Sequence, residues 1–128
     1  MDELHPGLTG SVTWKATERH SAEAWGSGGV PVFATPSLVG LMETAAMEAL
    51  RGRLSDSDTT VGTRIEVSHL AATPLGDDVR AEATLTSVDG RRLTFDIIAH
   101  DSSQKIGEGR HERVIVSRDR FLARLGRR

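Results

Sequence analysis

The most regular hydrophobic pattern in the sequence predicts an apolar helix in the first half of the chain. Residues 36–50 read PSLVGLMETAAMEAL, and at roughly 100° per residue their apolar side chains cover about two thirds of the helical circumference. Thr35 is a favourable N-cap and Pro36 suits the first helical position, so we predict a helix that begins there and ends near Arg53. A helix this apolar needs cover on nearly every side.

Other stretches of the chain have the composition or the alternation of β-strands. They are residues 7–17, 62–71, 79–88, 92–100 and 105–116. Asp89-Gly90 lies between two of these stretches and is a strong hairpin signal. Residues 18–30 are polar and rich in glycine, which predicts a flexible loop, and residues 117–125 predict a short amphipathic helix.

The order of these elements is strand, long helix, then four strands. This order predicts an α+β fold in which one antiparallel sheet wraps around the helix. The chain has 128 residues, enough for one domain, which we expect to span residues 1–128. A single subunit of this size leaves part of the helix and the sheet uncovered, so we expect a homodimer.

Composition and charge exclude several kinds of site. The sequence has no cysteine, so disulfides, thiolate nucleophiles and zinc–thiolate sites are excluded, and we expect neither a metal nor a cofactor. The formal net charge is -2, which favours binding to neither nucleic acid nor anionic membrane. The N-terminus lacks the features of a signal peptide and no apolar stretch approaches the ~20 residues of a membrane span. We therefore expect a cytoplasmic protein.

Glu43 is the most unusual side chain of the predicted helix. It projects between Met47 and Leu50, on the apolar side and outside the narrow polar arc of the helix. A carboxylate that loses its water is destabilised unless it is paired, hydrogen-bonded or protonated. The position of Glu43 therefore predicts a functional carboxylate in a dry interior.

Strand alternation adds a histidine to this carboxylate. In residues 62–71, the face in phase with the helix carries Thr63, Ile65, Val67 and His69, and the other face carries Arg64, Glu66 and Ser68. Thr35 lies at the helix start, where free backbone N–H groups can hold a carbonyl oxygen that gains negative charge. Thr35, Glu43 and His69 together predict a hydrolytic site, with Glu43 as nucleophile or base, His69 transferring the proton or orienting water, and Thr35 bonding the carboxylate or the acyl group.

Each of these residues also has an ordinary structural explanation. A threonine at a helix start is usually only a cap, and a histidine on an inward strand face is more often a satisfied core residue. Glu43 suits a buried salt bridge or a dimer contact equally well. His100 and His111 are best explained as polar residues at strand ends. The C-terminal RFLARLGRR is better explained as a solvated helical turn than as a site for polyanions.

Four sequence segments resemble a known family. They read VFATPSLVGLMETAAMEAL, GTRIEVSHLAATPLG, SVDGRRLTFDIIAHD and IGEGRHERVIV, and they lie between Val32 and about Val116. In this order they are similar to the fluoroacetyl-CoA thioesterase type of hot-dog-fold acyl-CoA thioesterase. The resemblance implies a hot-dog fold, a homodimer and hydrolysis of an acyl-CoA substrate.

The resemblance also assigns roles to residues. It implies that Thr35, Glu43 and His69 are the catalytic set, and that Gly62 and Arg113 lie beside the acyl pocket. Phe33 matches a further family position and is expected to contact the substrate. Without the family, Arg113 would be read as a surface charge.

One segment departs from the family pattern. The fluoroacetyl-specific enzyme carries a bulky aromatic lid just upstream of the threonine, whereas residues 28–31 here read GGVP. We therefore expect a small acyl-CoA as the substrate class, with fluoroacetyl-CoA as one member. A non-catalytic binder of acyl-CoA or of a similar ligand is the alternative, and a hydratase of the same fold is a third, poorer fit. Arg91 and Arg92 follow the hairpin turn and are either solvated or in contact with the phosphates of coenzyme A.

Overall fold

The computed structural model describes residues 4–127. Its strands are β1 (Thr9–Lys15), β2 (Asp58–His69), β3 (Asp78–Asp89), β4 (Arg92–His100) and β5 (Lys105–Ser117). Its helices are a 3₁₀ turn (Glu18–His20), α1 (Ala22–Trp25), α2 (Thr35–Ala49) and α3 (Arg118–Gly126). No helix within these residues is long and apolar enough to cross a membrane.

The five strands form one antiparallel sheet in the order β1-β3-β4-β5-β2. Helix α2 packs against one face of this sheet, and the shared core is built from the buried side chains of α2 and the inward residues of β3 and β4. The predicted arrangement of a sheet around a long helix is therefore confirmed, and it is the arrangement of the hot-dog fold.

The buried face of α2 is rich in small residues, which lets the sheet approach closely. Ala45, Ala46 and Ala49 are almost fully buried. At Gly10 of β1 an added Cβ would lie only 2.6 Å from the carbonyl carbon of Glu48, so strand and helix touch through their backbones there. This contact fixes how α2 lies across the sheet.

Both ends of α2 differ from the prediction. The N-cap is Ala34 and Thr35 is the first helical residue, so its hydroxyl does not cap the helix. The helix ends at Ala49 rather than near Arg53, because the chain turns through Gly52, whose φ of 73° is in the left-handed region.

The segment predicted as a flexible loop contains regular structure. Residues 18–20 form the 3₁₀ turn and Ser21 caps α1 by accepting a hydrogen bond from the backbone N–H of Ala24. Ser21 also forms a β-bridge with Phe33. These contacts hold the segment across the start of α2.

Strand β2 carries a β-bulge that changes which residues face the helix. Its pairing with β5 shifts between Gly62 and Arg64, so Thr63 is exposed and the prediction that it shares the inward face is wrong. Before the bulge, Thr60 and Gly62 point toward α2. After the bulge, Ile65, Val67 and His69 do so. The bulge therefore puts the inward side chains of both halves of β2 on the face of the sheet that packs against α2.

Candidate functional site

Thr35 and His69 are in direct contact. Thr35 begins α2, His69 ends β2, and the Oγ1–Nδ1 distance is 2.8 Å. Nε2 of His69 is buried and has no hydrogen-bond partner among residues 4–127. Burial lowers the pKa of His69 from its ordinary value, which favours the neutral imidazole. A neutral imidazole of this kind can accept a proton, as a general base must.

A cavity of about 400 Å³ lies beside this pair. Its walls include Val30, Phe33, Thr35, His69 and Leu70. Phe33 is fully buried, so it shapes the wall rather than moving across it. Thr35, the first residue of α2, lines this cavity, so the end of the helix whose first N–H groups have no acceptor within the helix lies beside it. The cavity can therefore hold a small acyl group with its carbonyl oxygen at a positive helix terminus.

Glu43 lies in a second group of polar side chains. Its Oε2 accepts a hydrogen bond from Nη1 of Arg113 at 3.4 Å. Arg113 is 7% exposed and donates from Nε to the hydroxyl of Thr60 at 2.8 Å and from Nη2 to the Thr60 carbonyl at 3.1 Å. The guanidinium is therefore locked by β2 and presents a fixed positive charge to the carboxylate.

The expected burial of Glu43 is not found within one chain. Its side chain remains 43% exposed. Strand β2 is the edge of the sheet, so none of residues 4–127 covers the side of α2 that lies beyond it. Glu43 instead borders an open cavity of about 430 Å³ whose walls include Trp14, Trp25 and Val39.

His111 is a member of the Glu43 group that the sequence reading missed. It is 1% exposed, so its interpretation as a strand-end polar residue is wrong. Its Nδ1 donates to the carbonyl of Arg64 at 2.8 Å, which leaves Nε2 to accept from Nη1 of Arg113 at 3.0 Å. Nε2 is 4.0 Å from Oε2 of Glu43. Burial first, and then the charge of Arg113, lower the pKa of His111, so this imidazole is neutral.

A signal for His111 was present in the sequence. His111 and Arg113 are two residues apart on β5, so strand alternation puts them on one face, as it put His69 on the inward face of β2. The same reasoning, applied to β5, places both of them toward α2.

Gly62 makes room for the carboxylate. A Cβ at this position would be 2.8 Å from Oε2 of Glu43 and 3.2 Å from Cε1 of His111. Any other residue would therefore push one of these groups away. Gly62 therefore lies directly against the carboxylate of Glu43.

The structure thus brings the predicted residues together in two groups. Thr35, His69 and Phe33 surround one cavity, whereas Glu43, Gly62 and Arg113 form the other group. Glu43 lies eight positions after Thr35 on α2, a rise of about 12 Å. The carboxylate and the imidazole of one chain therefore do not meet.

A model of the fluoroacetyl-CoA-specific thioesterase family matches residues 16–119. The chain belongs to this family. It is 45% identical to the fluoroacetyl-CoA thioesterase of Streptantibioticus cattleyicolor over 94 residues, which are 73% of this chain and 68% of that protein. The family resemblance stated from the sequence is confirmed.

Solved structures of relatives share the whole fold of this thioesterase family member. A threonine-to-serine variant of the fluoroacetyl-CoA thioesterase FlK in complex with acetyl-CoA is 32% identical, with a TM-score of 0.90 over 97% of this chain and 98% of that chain. A hot-dog-like protein from Thermanaerovibrio acidaminovorans is 28% identical, with a TM-score of 0.89 over 99% and 96% of the two chains. The hot-dog fold is therefore confirmed by comparison as well as by topology.

Proposed function

We propose that this thioesterase hydrolyses a short acyl-CoA to the free acid and CoA, and that Thr35, Glu43 and His69 carry the reaction. The observation that carries the proposal is the Thr35–His69 pair, which lies at the start of α2 beside a cavity of about 400 Å³. The family of the chain agrees with it. An FlK variant has been crystallised with acetyl-CoA, which supports a short acyl thioester as substrate.

In the proposed mechanism the thioester carbonyl lies at the start of α2. Backbone N–H groups there stabilise the negative charge that develops on the carbonyl oxygen. Glu43 either attacks the carbonyl carbon directly, giving an anhydride that water then opens, or removes a proton from the water that attacks. In both routes the carbon–sulfur bond breaks, the thiolate of CoA takes up a proton, and the acid is released. His69 is placed to transfer that proton, and Thr35 orients its imidazole.

We propose further that the active form is a homodimer in which the site combines two chains. The edge strand β2 is 12 residues long, and one of its sides has no strand partner in the part of the chain that the structure describes. If two copies pair antiparallel about a twofold axis at Glu66, Ile65 of one copy lies opposite Val67 of the other, and both α2 helices lie on the same face of the joined sheet. Because the bulge skips Thr63, Gly62 of one copy then lies opposite His69 of the other. This register would carry the partner's Glu43 toward Thr35 and His69 and would cover its exposed side.

The size of the cavity and the composition of the segment before α2 support a small acyl group. Gly28 and Val30 contribute to the cavity wall, and residues 28–31 contain no aromatic side chain. We therefore extend the proposal to acetyl-CoA, propionyl-CoA and fluoroacetyl-CoA without preference for fluorine.

The central test replaces the carboxylate without changing its shape. Glu43→Gln is expected to reduce kcat by at least about a thousandfold, because the amide can neither attack nor accept a proton. The measurement is thiol release over a panel of short acyl-CoAs, with circular dichroism to show that the fold is retained.

Glu48→Gln is the matched control, since Glu48 lies on the same helix and pairs with Arg51 at the surface. It is expected to behave like the parent protein. Hydrolysis by Glu43→Gln at the parental rate would reject the assignment of Glu43. Binding of acyl-CoA by the parent without thiol release from any panel member would instead show a non-catalytic binder.

A further inference from the structure

A groove lined by three arginines lies at the far end of β2, outside the proposed catalytic groups. It has a volume of about 450 Å³ and is formed where the start of β2, the end of β5 and helix α3 meet. Arg91, Arg120 and Arg124 line it together with the hydroxyl-bearing residues Ser57 and Ser117. Asp58 is the one acidic residue of the lining, so the groove carries a positive charge.

The arginines are arranged so that most of this charge is available. Arg91 is positioned by a hydrogen bond from its Nε to the carbonyl of Ile115 at 2.9 Å, and its Nη2 lies 3.6 Å from Asp58. Arg120 and Arg124 are exposed and form no ion pair with another residue in the range 4–127. They are one helical turn apart on α3, where two like charges repel each other. A bound anion would relieve that repulsion.

The other walls of the groove are apolar. Ile115, Val116 and Phe121 contribute to them. Guanidinium groups recognise phosphate oxygens through paired hydrogen bonds, and an aromatic ring offers a stacking surface for a nucleobase. Arginines beside an aromatic and aliphatic wall are therefore suited to a nucleotide phosphate rather than to a simple inorganic anion.

The distance between the proposed acyl site and the arginine groove matches the length of the pantetheine arm of coenzyme A. Asp58 and Gly62 are both on β2 and in phase, and the rise over the four-residue step from one to the other is about 13 Å. The pantetheine arm joins the thioester sulfur to the pyrophosphate through about thirteen bonds, the backbone length of about four peptide residues, or roughly 14–16 Å when extended. A thioester at Gly62 can therefore place its phosphates at the arginine groove.

We infer that this groove binds the 3′-phospho-ADP part of the acyl-CoA substrate, an inference that rests on the proposed function. Arg120 and Arg124 hold phosphate oxygens, Arg91 fixes the near wall, and Phe121 lies against the adenine. The groove contributes to binding and takes no part in the bond-breaking steps.

The test compares two substrates that differ only in the nucleotide. In the double variant Arg120→Ala/Arg124→Ala, KM for acetyl-CoA is expected to rise about tenfold, the loss of one or two exposed charge-assisted hydrogen bonds. KM for acetyl-pantetheine, which lacks the phosphates, and kcat for both substrates are expected to stay at parental values. Arg80→Ala, an exposed arginine of β3 that does not line the groove, is the matched control.

An unchanged KM for acetyl-CoA, or an equal rise for both substrates, would overturn the inference. Calorimetric titration with 3′,5′-ADP separates this result from a failure of the proposed function, since it needs no hydrolysis. The parent is expected to bind 3′,5′-ADP and the double variant to bind it about tenfold more weakly. Equal binding by both proteins, no binding by the parent, or equally tight binding of inorganic phosphate would each overturn the nucleotide site.

Discussion

At the scale of single residues, the position of the Glu43 carboxylate depends on its contact with one fixed neighbour, Arg113. Arg113 is fixed by Thr60 and by the neutral imidazole of His111, and the remaining N–H of its Nη1 reaches Glu43. The carboxylate itself is still 43% exposed. Small changes among these neighbours should therefore move the carboxylate oxygen that we propose to react, without unfolding the protein.

Gly62→Ala is the sharpest test of that idea. The new Cβ would lie 2.8 Å from Oε2 of Glu43, and the flexible carboxylate can swing outward to avoid it. We expect kcat/KM to fall about a hundredfold, the effect of misplacing a reacting group by about 1 Å, whereas the melting temperature should change little. Gly126→Ala is the control, because a Cβ there meets nothing within 4 Å. Activity equal to that of the control would show that Gly62 does not position Glu43.

The pH dependence of turnover tests His69. Burial lowers its pKa below the ordinary value of 6.5, so the neutral imidazole persists as the pH falls through that value. If neutral His69 is the form that reacts, the acidic limb of kcat/KM for acetyl-CoA should have its midpoint below pH 6.5. A midpoint above that value would contradict the prediction that burial dominates, and would mean that a negative charge such as the partner's Glu43 raises the pKa of His69 instead.

At the scale of elements, the close backbone contact between β1 and α2 carries much of the packing. A Cβ on Gly10 would meet the backbone of α2, at 2.6 Å from the carbonyl carbon of Glu48 and 2.7 Å from the carbonyl oxygen of Ala45. Backbone atoms cannot rotate out of the way as the end of a side chain can, so the helix would have to shift.

We therefore expect Gly10→Ala to lower the free energy of unfolding by roughly 1–3 kcal/mol, as over-packing does in other cores. Urea denaturation at one fixed protein concentration measures the change. Gly29→Ala is the matched control, because a Cβ there has no neighbour within 4 Å. Equal free energies of unfolding for Gly10→Ala and Gly29→Ala would mean that β1 and α2 can move apart without loss of stability.

The helices and strands also show which parts of this fold can be predicted from the local sequence. Helix α2 and the strand β4 follow from hydrophobic periodicity and turn residues, and β4 was predicted with its exact bounds. The bulge in β2 was not predictable in this way, because alternation assumes that no residue is skipped. Alternation therefore assigns Thr63 to the wrong face of the strand, although a glycine such as Gly62 within a strand often marks a bulge.

The candidate site shows the same division. Thr35 and His69 could be found from their own elements, since one begins a helix and the other lies in phase on a strand. The exposure of Glu43 could not be predicted in this way, because it depends on β2 pairing only with β5 and forming the edge of the sheet. Strand order arises from contacts between residues distant in sequence, and a local sequence pattern does not predict such contacts.

At the scale of the whole molecule, one long side of the protein is left open. Strand β2 forms that edge, Met47 of α2 is 37% exposed beside it, and Glu43 faces the same side. Long edge strands readily pair with another chain. A twofold antiparallel pairing would extend the sheet and would convert two incomplete groups per chain into two complete sites per dimer.

Mixing two inactive variants tests this arrangement. In a mixed dimer of Thr35→Ala and Glu43→Gln chains, a site that takes Glu43 from one chain and Thr35 with His69 from the other has all its residues once. Random pairing makes half of the dimers mixed, each with one intact site of two, so about a quarter of the parental rate should return. Thiol release from co-expressed chains measures this rate, with each variant alone as the control. If dimers shown to be mixed recover no activity, each site is built from a single chain. Each chain of such a dimer would then lack either Thr35 or Glu43, and its partner could not supply the missing residue.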